Sequence, residues 1–169
     1  MIKLEPFTES DFDTLISWVK NEKELIQFAG AIFSFPLTKK QLLSYLKMTD
    51  KKPYKIVSIN DNITIGHCEL NFENGNNRLS RILLGDKKFR GKGYCKLIIS
   101  EMTKMLFADK KVNQVDLNVY DWNKGAINCY INFGFEINPD KTKSQIVGNE
   151  IWKSLNMILS KKNWLQHRL

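Results

Sequence analysis

The sequence predicts an α+β protein built on a mixed sheet with helices on its faces. Three observations point there. Strand-like segments such as Thr64–Phe72 and Val115–Tyr120 stand beside a long segment of helical periodicity beginning at Tyr94. Three strand segments follow one another with only short turns between them, the pattern of an antiparallel meander. The later strands are separated by helices, which permits parallel neighbours. With 169 residues, 43% of them hydrophobic and 11% aromatic, the chain is long enough to bury a full core. No low-complexity tract, repeat or Gly/Ser linker interrupts it, so one domain over residues 1–169 is expected.

Each element has its own signal. Met1–Phe7 is mixed apolar and reads as a first strand. Thr8 offers an N-cap with Asp11 three residues on, and Phe7 and Phe12 are spaced for a hydrophobic staple. A helix is therefore predicted over 9–20, with Phe12, Leu15, Ile16 and Val19 on one face. Residues 28–37 read as a connecting loop. Thr38 and Gln41 repeat the capping-box pattern, with Leu37 and Leu42 as staple partners, for a helix to about Met48. Strands follow over 54–59, 64–72 and 79–84, joined by Asp61-Asn62 and a polar turn holding Gly75. After a glycine-rich stretch, Tyr94, Leu97, Ile98, Met102, Met105 and Leu106 fall on one face of a long helix. A strand over 115–120 leads to Asn123, which can cap a helix from Lys124 to Phe133 that Gly134 ends. A strand starts at 135–137, 138–149 reads as a polar loop, 151–159 as a last strand, and 161–169 as a tail.

The net charge of +8, from 26 Lys and Arg against 18 Asp and Glu, favours anionic ligands without choosing among nucleic acid, an anionic membrane and a phosphate-rich cofactor. The basic residues are scattered, and no recognition helix or RNP-type string is present, so a nucleic-acid partner is not expected. The N-terminus has no signal-peptide pattern, and no apolar run approaches the ~20 residues that span a bilayer; a cytoplasmic protein without a membrane partner is the expectation. Cys68, Cys95 and Cys129 form an odd, sparse set, which argues against a disulfide framework. With only two histidines, no metal site is expected.

The segment Gly85–Gly93 carries three glycines and four basic residues ahead of a helix. Strand, glycine-rich turn, helix is an anion-binding arrangement. The first helical turn has unpaired N–H groups and partial positive charge, and glycines let backbone approach the ligand. Lys88, Arg90 and Lys92 add charge suited to a pyrophosphate. A P-loop is excluded because no Gly-Lys-Ser/Thr follows, and a dinucleotide fingerprint because Lys96 stands where its third glycine belongs.

The whole string Arg90-Gly91-Lys92-Gly93-Tyr94-Cys95 resembles the coenzyme A pyrophosphate loop of the GNAT acyltransferase superfamily, with Cys95 at a position the family fills with Gly or Ala. A second block resembles the family's next helix: Asn123, Ala126, Tyr130, Gly134 and Phe135 match, one helix and one strand downstream. Phe28-Ala29-Gly30, Phe35-Pro36-Leu37-Thr38 and His67-Cys68-Glu69-Leu70 are similar to the ribosomal-protein N-acetyltransferase branch.

The resemblance implies a GNAT fold splayed at its fourth and fifth strands. It implies acetyl-coenzyme A as co-substrate without a metal, and direct attack of an amine on the thioester. Cofactor contacts are expected from Leu83, Leu84, Lys88, Arg90, Gly91, Lys92, Gly93, Tyr94, Cys95 and Asn123. Backbone N–H groups near Leu83 and Leu84 would receive the developing oxyanion. Tyr130 is expected to protonate the leaving thiolate, since a phenol is protonated at neutral pH. Glu69 is the candidate base, with His67 behind it; the base is dispensable if the amine arrives neutral. Trp18, Trp122, Trp152 and Trp164 are expected in the core or lining a pocket. The acceptor would be a small-molecule amine or a protein N-terminal amine, and the protein a monomer or homodimer. A coenzyme A-binding protein without catalysis and a basic nucleic-acid module are the alternatives.

Overall fold

The computed structural model describes residues 1–167; positions 168 and 169 of the expected tail lie outside the described residues. Seven strands form one sheet: β1 (Ile2–Pro6), β2 (Lys51–Ser58), β3 (Ile63–Asn71), β4 (Arg78–Leu84), β5 (Gln114–Tyr120), β6 (Glu136–Val147) and β7 (Glu150–Ser160), in the order β1-β2-β3-β4-β5-β7-β6. The pairs β1–β2, β2–β3, β5–β7 and β6–β7 are antiparallel, and β4–β5 is parallel. The helices are α1 (Phe12–Trp18), α2 (Glu22–Ala29), α3 (Lys39–Leu46), α4 (Tyr94–Phe107), α5 (Lys124–Phe133) and α6 (Lys161–His167).

The chain packs as two compact units, each assembled from two segments. The first comprises Met1–Glu73 and Ser80–Tyr94; the second comprises Asn74–Leu79 and the chain from Cys95 onward. The boundary therefore runs through β4. In the second unit β4 and β5 pair as Arg78↔Asp116 and Leu79↔Leu117.

In the first unit, Phe7, Phe12, Leu15, Leu25, Phe28, Phe33, Leu42 and Tyr45 make a single buried cluster. Its helices begin where the caps predict. The Thr8 N–H donates to Asp11 Oδ2 at 2.9 Å, and the Phe7 and Phe12 rings lie 5.7 Å apart. The predicted helix over 9–20 is instead a 3₁₀ turn, Glu9–Asp11, followed by α1, which ends at Trp18. It stops because a new helix opens three residues later. Asn21 caps α2 by accepting the Glu24 N–H at 2.9 Å, and Leu25, Phe28 and Ala29 are its buried face. Part of the expected loop is thus helical. Thr38 caps α3, but Gln41 does not close the box; its amide bonds Ser34 and Pro36 and pins the preceding loop.

In the second unit, α4 buries Ile98, Ile99, Met102 and Leu106, together with Ser100, Thr103 and Phe107, while Met105 is 38% exposed. The buried stripe is rotated from the predicted one and takes in Thr103, whose hydroxyl is satisfied inside the helix, on the Ile99 carbonyl at 2.7 Å. Residues 138–147, expected as a loop, extend β6. This edge strand is polar because it lies largely in solvent, and only its ladder to β7 marks it. Gly148, at φ 60°, turns the hairpin. Residues 161–167 of the expected tail are helix α6, with Trp164 buried.

Candidate active site

The glycine turn belongs to the first unit. Gly91 and Gly93 have φ of 73° and 79°, a backbone that L side chains rarely adopt, and no atom lies within 4 Å of where a Cβ would stand on either. The glycines are thus required by conformation, and they leave bare backbone beside α4, which starts at Tyr94. Arg90 and Lys92 are exposed, and the Arg90 guanidinium donates to the Leu84 carbonyl at 3.4 Å. Asp86 accepts the Lys88 N–H at 2.9 Å, a bond that with the Lys88 ammonium holds its carboxyl below the usual range. The Phe89 ring meets Tyr94 edge-on at 5.8 Å. The turn is therefore ordered by its own contacts and presents N–H groups and two exposed cations, as a pyrophosphate requires. Close packing fixes the strand before it. A Cβ on Gly66 would meet the Leu83 carbonyl at 2.2 Å, and one on Gly85 would meet the Trp18 indole at 2.0 Å.

Behind this strand the first unit holds a buried polar cluster. Glu69 of β3 is fully buried, and its two carboxylate oxygens accept from the Tyr45 hydroxyl on α3 and the Arg81 guanidinium on β4. The Arg81 guanidinium also lies 5.8 Å from the Tyr45 ring centre. Burial raises the Glu69 pKa, opposed by Arg81 and the Tyr45 bond; burial and the Glu69 charge push Tyr45 well above its ordinary value. The cluster therefore sets a neutral phenol beside the Glu69–Arg81 pair. His67 completes it. Its Nδ1 lies 3.1 Å from the Arg81 carbonyl, which can only accept, so Nδ1 carries the proton. Burial lowers the His67 pKa to about 4, and Nε2 is buried without a hydrogen-bond partner among the described residues. Arg81 itself has φ 48°, left-handed for a non-glycine inside a strand.

The second unit supplies the other expected residues. Asn123 Oδ1 accepts the Ala126 N–H at 3.4 Å and caps α5; Gly134, at φ 103°, ends it. Tyr130 is 7% exposed, and burial pushes its phenol up to about 12. It stays protonated at neutral pH and so has a proton to donate. Cys95 and Cys129 are joined by a disulfide, 34 positions apart in sequence and with Cα atoms 6.5 Å apart. The expectation of no disulfide is corrected here. It rested on the odd count, and the leftover thiol is Cys68, which is buried and raised by that burial. The bridge ties the first turn of α4 to the residue preceding Tyr130.

Residues 2–136 match the acetyltransferase (GNAT) domain family. The chain belongs to that family. The GNAT fold is also the fold of its structural neighbours. An aminoglycoside acetyltransferase, AAC(6')-Ib, solved with coenzyme A, is 19% identical at a TM-score of 0.73, with 98% of each chain covered. A spermidine N-acetyltransferase from Vibrio cholerae, solved with CoA and spermine, is 13% identical at 0.78, with 97% of this chain and 98% of that chain covered.

For a GNAT chain, the expected residues divide between the units. Leu83, Leu84, Lys88, Arg90, Gly91, Lys92, Gly93 and Tyr94 belong to the first with Glu69, and Cys95, Asn123 and Tyr130 to the second. Sequence reasoning missed Arg81 and Tyr45. An arginine in a strand and a tyrosine on an amphipathic helix carry no signal of their own. Among the described residues there is no group of three or more His, Cys, Asp or Glu that could hold a metal ion, and no helix is long and apolar enough to cross a membrane.

Proposed function

We propose that this protein transfers an acetyl group from acetyl-coenzyme A to a primary amine, by direct attack of the neutral amine on the thioester carbonyl. The observation that carries this reading is the Arg90–Gly93 turn, with two left-handed glycines opening onto α4, in a chain of the GNAT family. The co-substrate supplies a carbonyl carbon joined to a thiol leaving group. Arg90, Lys88 and Lys92, with the N–H groups of Gly91 to Cys95, are assigned to its pyrophosphate. The backbone at Leu83 and Leu84 is assigned to its pantetheine arm and to the thioester oxygen, and Asn123 to the pantetheine amides.

Tyr130 is assigned to donating its phenolic proton to the departing thiolate, a role consistent with a phenol held protonated by burial. The amine proton passes to water, because Glu69 is ion-paired, hydrogen-bonded and shut away from solvent. We therefore assign Glu69 to holding Arg81, in place of the base role.

The acceptor class is a small-molecule amine, supported by the fold neighbours solved with aminoglycosides and with spermine. A protein N-terminal amine, suggested by the ribosomal-protein branch strings, is the second candidate. A cytoplasmic location belongs to this reading, and there the Cys95–Cys129 bridge would face a reducing thiol pool.

Release of free coenzyme A thiol, measured against a panel of polyamines, aminoglycosides, simple amines and N-terminal peptides, tests the proposal. Amine-dependent thiol release with an acetylated product is the expected result. Tight coenzyme A binding with no release across the whole panel would leave a binding protein, not an enzyme.

A further inference from the structure

The buried cluster around Glu69 needs a reason to exist. A carboxylate–guanidinium pair taken out of water is on balance a weak source of stability, since desolvation offsets most of the attraction. His67 adds an unpartnered buried nitrogen among the rings of Phe7, Phe28 and Tyr45, 4.9, 5.3 and 6.2 Å away. Such a group calls for an explanation. All these costs converge on one residue, Arg81. Its side chain is gripped by Glu69, which Tyr45 orients, and its carbonyl accepts from His67. Arg81 is also a strained residue in β4, a non-glycine at φ 48° two positions before Leu83.

We infer that Tyr45, Glu69 and His67 are positioning residues that hold Arg81 in its left-handed conformation, and so aim the backbone of Leu83 and Leu84 at the thioester. The inference rests on the acetyltransferase reading for its last step only; the holding of Arg81 stands independently of it. An arginine without these anchors relaxes toward ordinary strand geometry, because its Cβ disfavours the left-handed region. Relaxation would turn the following peptides and misplace the N–H groups meant for the developing oxyanion.

The test is a pair of substitutions that lose the guanidinium equally but differ in backbone preference. Glycine holds positive φ without anchors, and alanine does not. Arg81→Gly is expected to retain kcat within about threefold of wild type, and Arg81→Ala to lose on the order of tenfold, with KM for acetyl-coenzyme A within about twofold in both. Glu69→Gln should resemble Arg81→Ala, and the double variant Glu69→Gln with Arg81→Gly should recover. If the cluster served only stability, Gly and Ala would fall together and no recovery would occur.

Hydrogen exchange gives an arm that does not depend on turnover. Amides 82–85 should exchange faster in Arg81→Ala and Glu69→Gln, but not in Arg81→Gly. Equal exchange in the Gly and Ala variants overturns the inference. Absence of turnover in wild type, with the exchange difference intact, overturns only the acetyltransferase reading.

Discussion

Strand β4 carries two arginines three residues apart, and each is paired with a buried carboxylate in a different unit. In the second unit, Arg78 grips Asp116 of β5 through two bonds of 2.8 and 2.6 Å, and Asn156 donates to the same carboxylate at 2.9 Å. There the backbone is in regular parallel register, Arg78 opposite Asp116. In the first unit, Arg81 grips Glu69 where the backbone is left-handed. The chemistry is the same and the backbone context differs. The first pair fastens two strands together, and the second fixes a departure from strand geometry. One is a matter of stability and the other of the shape of the site.

Separating stability from catalysis breaks or sharpens that contrast. The largest catalytic effect lies with neither arginine: Tyr130→Phe should lower kcat by about a hundredfold or more, with coenzyme A affinity unchanged. An unaltered kcat would remove Tyr130 from the reaction. Asp116→Ala removes the carboxylate that accepts two Arg78 bonds and one from Asn156, and should cost about 3 kcal/mol. That is a fall of roughly 6–12 °C in thermal midpoint, while kcat of the protein that remains folded stays within about twofold. A kcat loss larger than the stability loss would erase the distinction between the two pairs.

Reduction of Cys95–Cys129 reopens a loop with sequence separation 34 and should cost about 3–4 kcal/mol on the chain-entropy account, read as a lower midpoint with dithiothreitol than without. The same midpoint with and without reductant, in protein whose thiols alkylate fully, would deny the bridge a structural role.

The effect that vanishes at neutral pH concerns His67. His67 is lowered to about 4 in the folded protein, against an ordinary value of 6.5. Above pH 6.5 both states hold it neutral, so its contribution to stability is intact. Between pH 6.5 and 4 the unfolded chain takes up the proton first, and stability falls by up to about 3 kcal/mol. In His67→Asn, whose amide can keep the bond to the Arg81 carbonyl, that slope should disappear from the denaturation profile. An unchanged slope would assign it to other groups.

Much of the scaffold was legible, because local chemistry and final structure agree there. Thr8, Thr38 and Asn123 cap their helices, Gly134 ends α5, and the α4 periodicity survives with a rotated face. Helix α2 was missed although Asn21 caps it and Leu25, Phe28 and Ala29 form its buried stripe. The length of β6 was hidden because an edge strand need not alternate. In the site, the glycine turn was readable since only glycine takes those dihedrals at little cost. Arg81 was not, since its dihedral is imposed by Tyr45, Glu69 and His67 from two other elements, and no local rule makes an arginine left-handed. The Cys95–Cys129 bridge escaped for a similar reason: only the packing of α4 and α5 brings the two together.

The central claim is that the Arg90–Gly93 turn receives the pyrophosphate of coenzyme A, and calorimetric titration of coenzyme A into wild type and Gly93→Val tests it most directly. Valine is poorly suited to the 79° dihedral of that position, where nothing else obstructs it. Saturable binding by wild type, weakened at least tenfold in the variant at similar thermal midpoint, is the predicted result; equal affinity in the two proteins would contradict it.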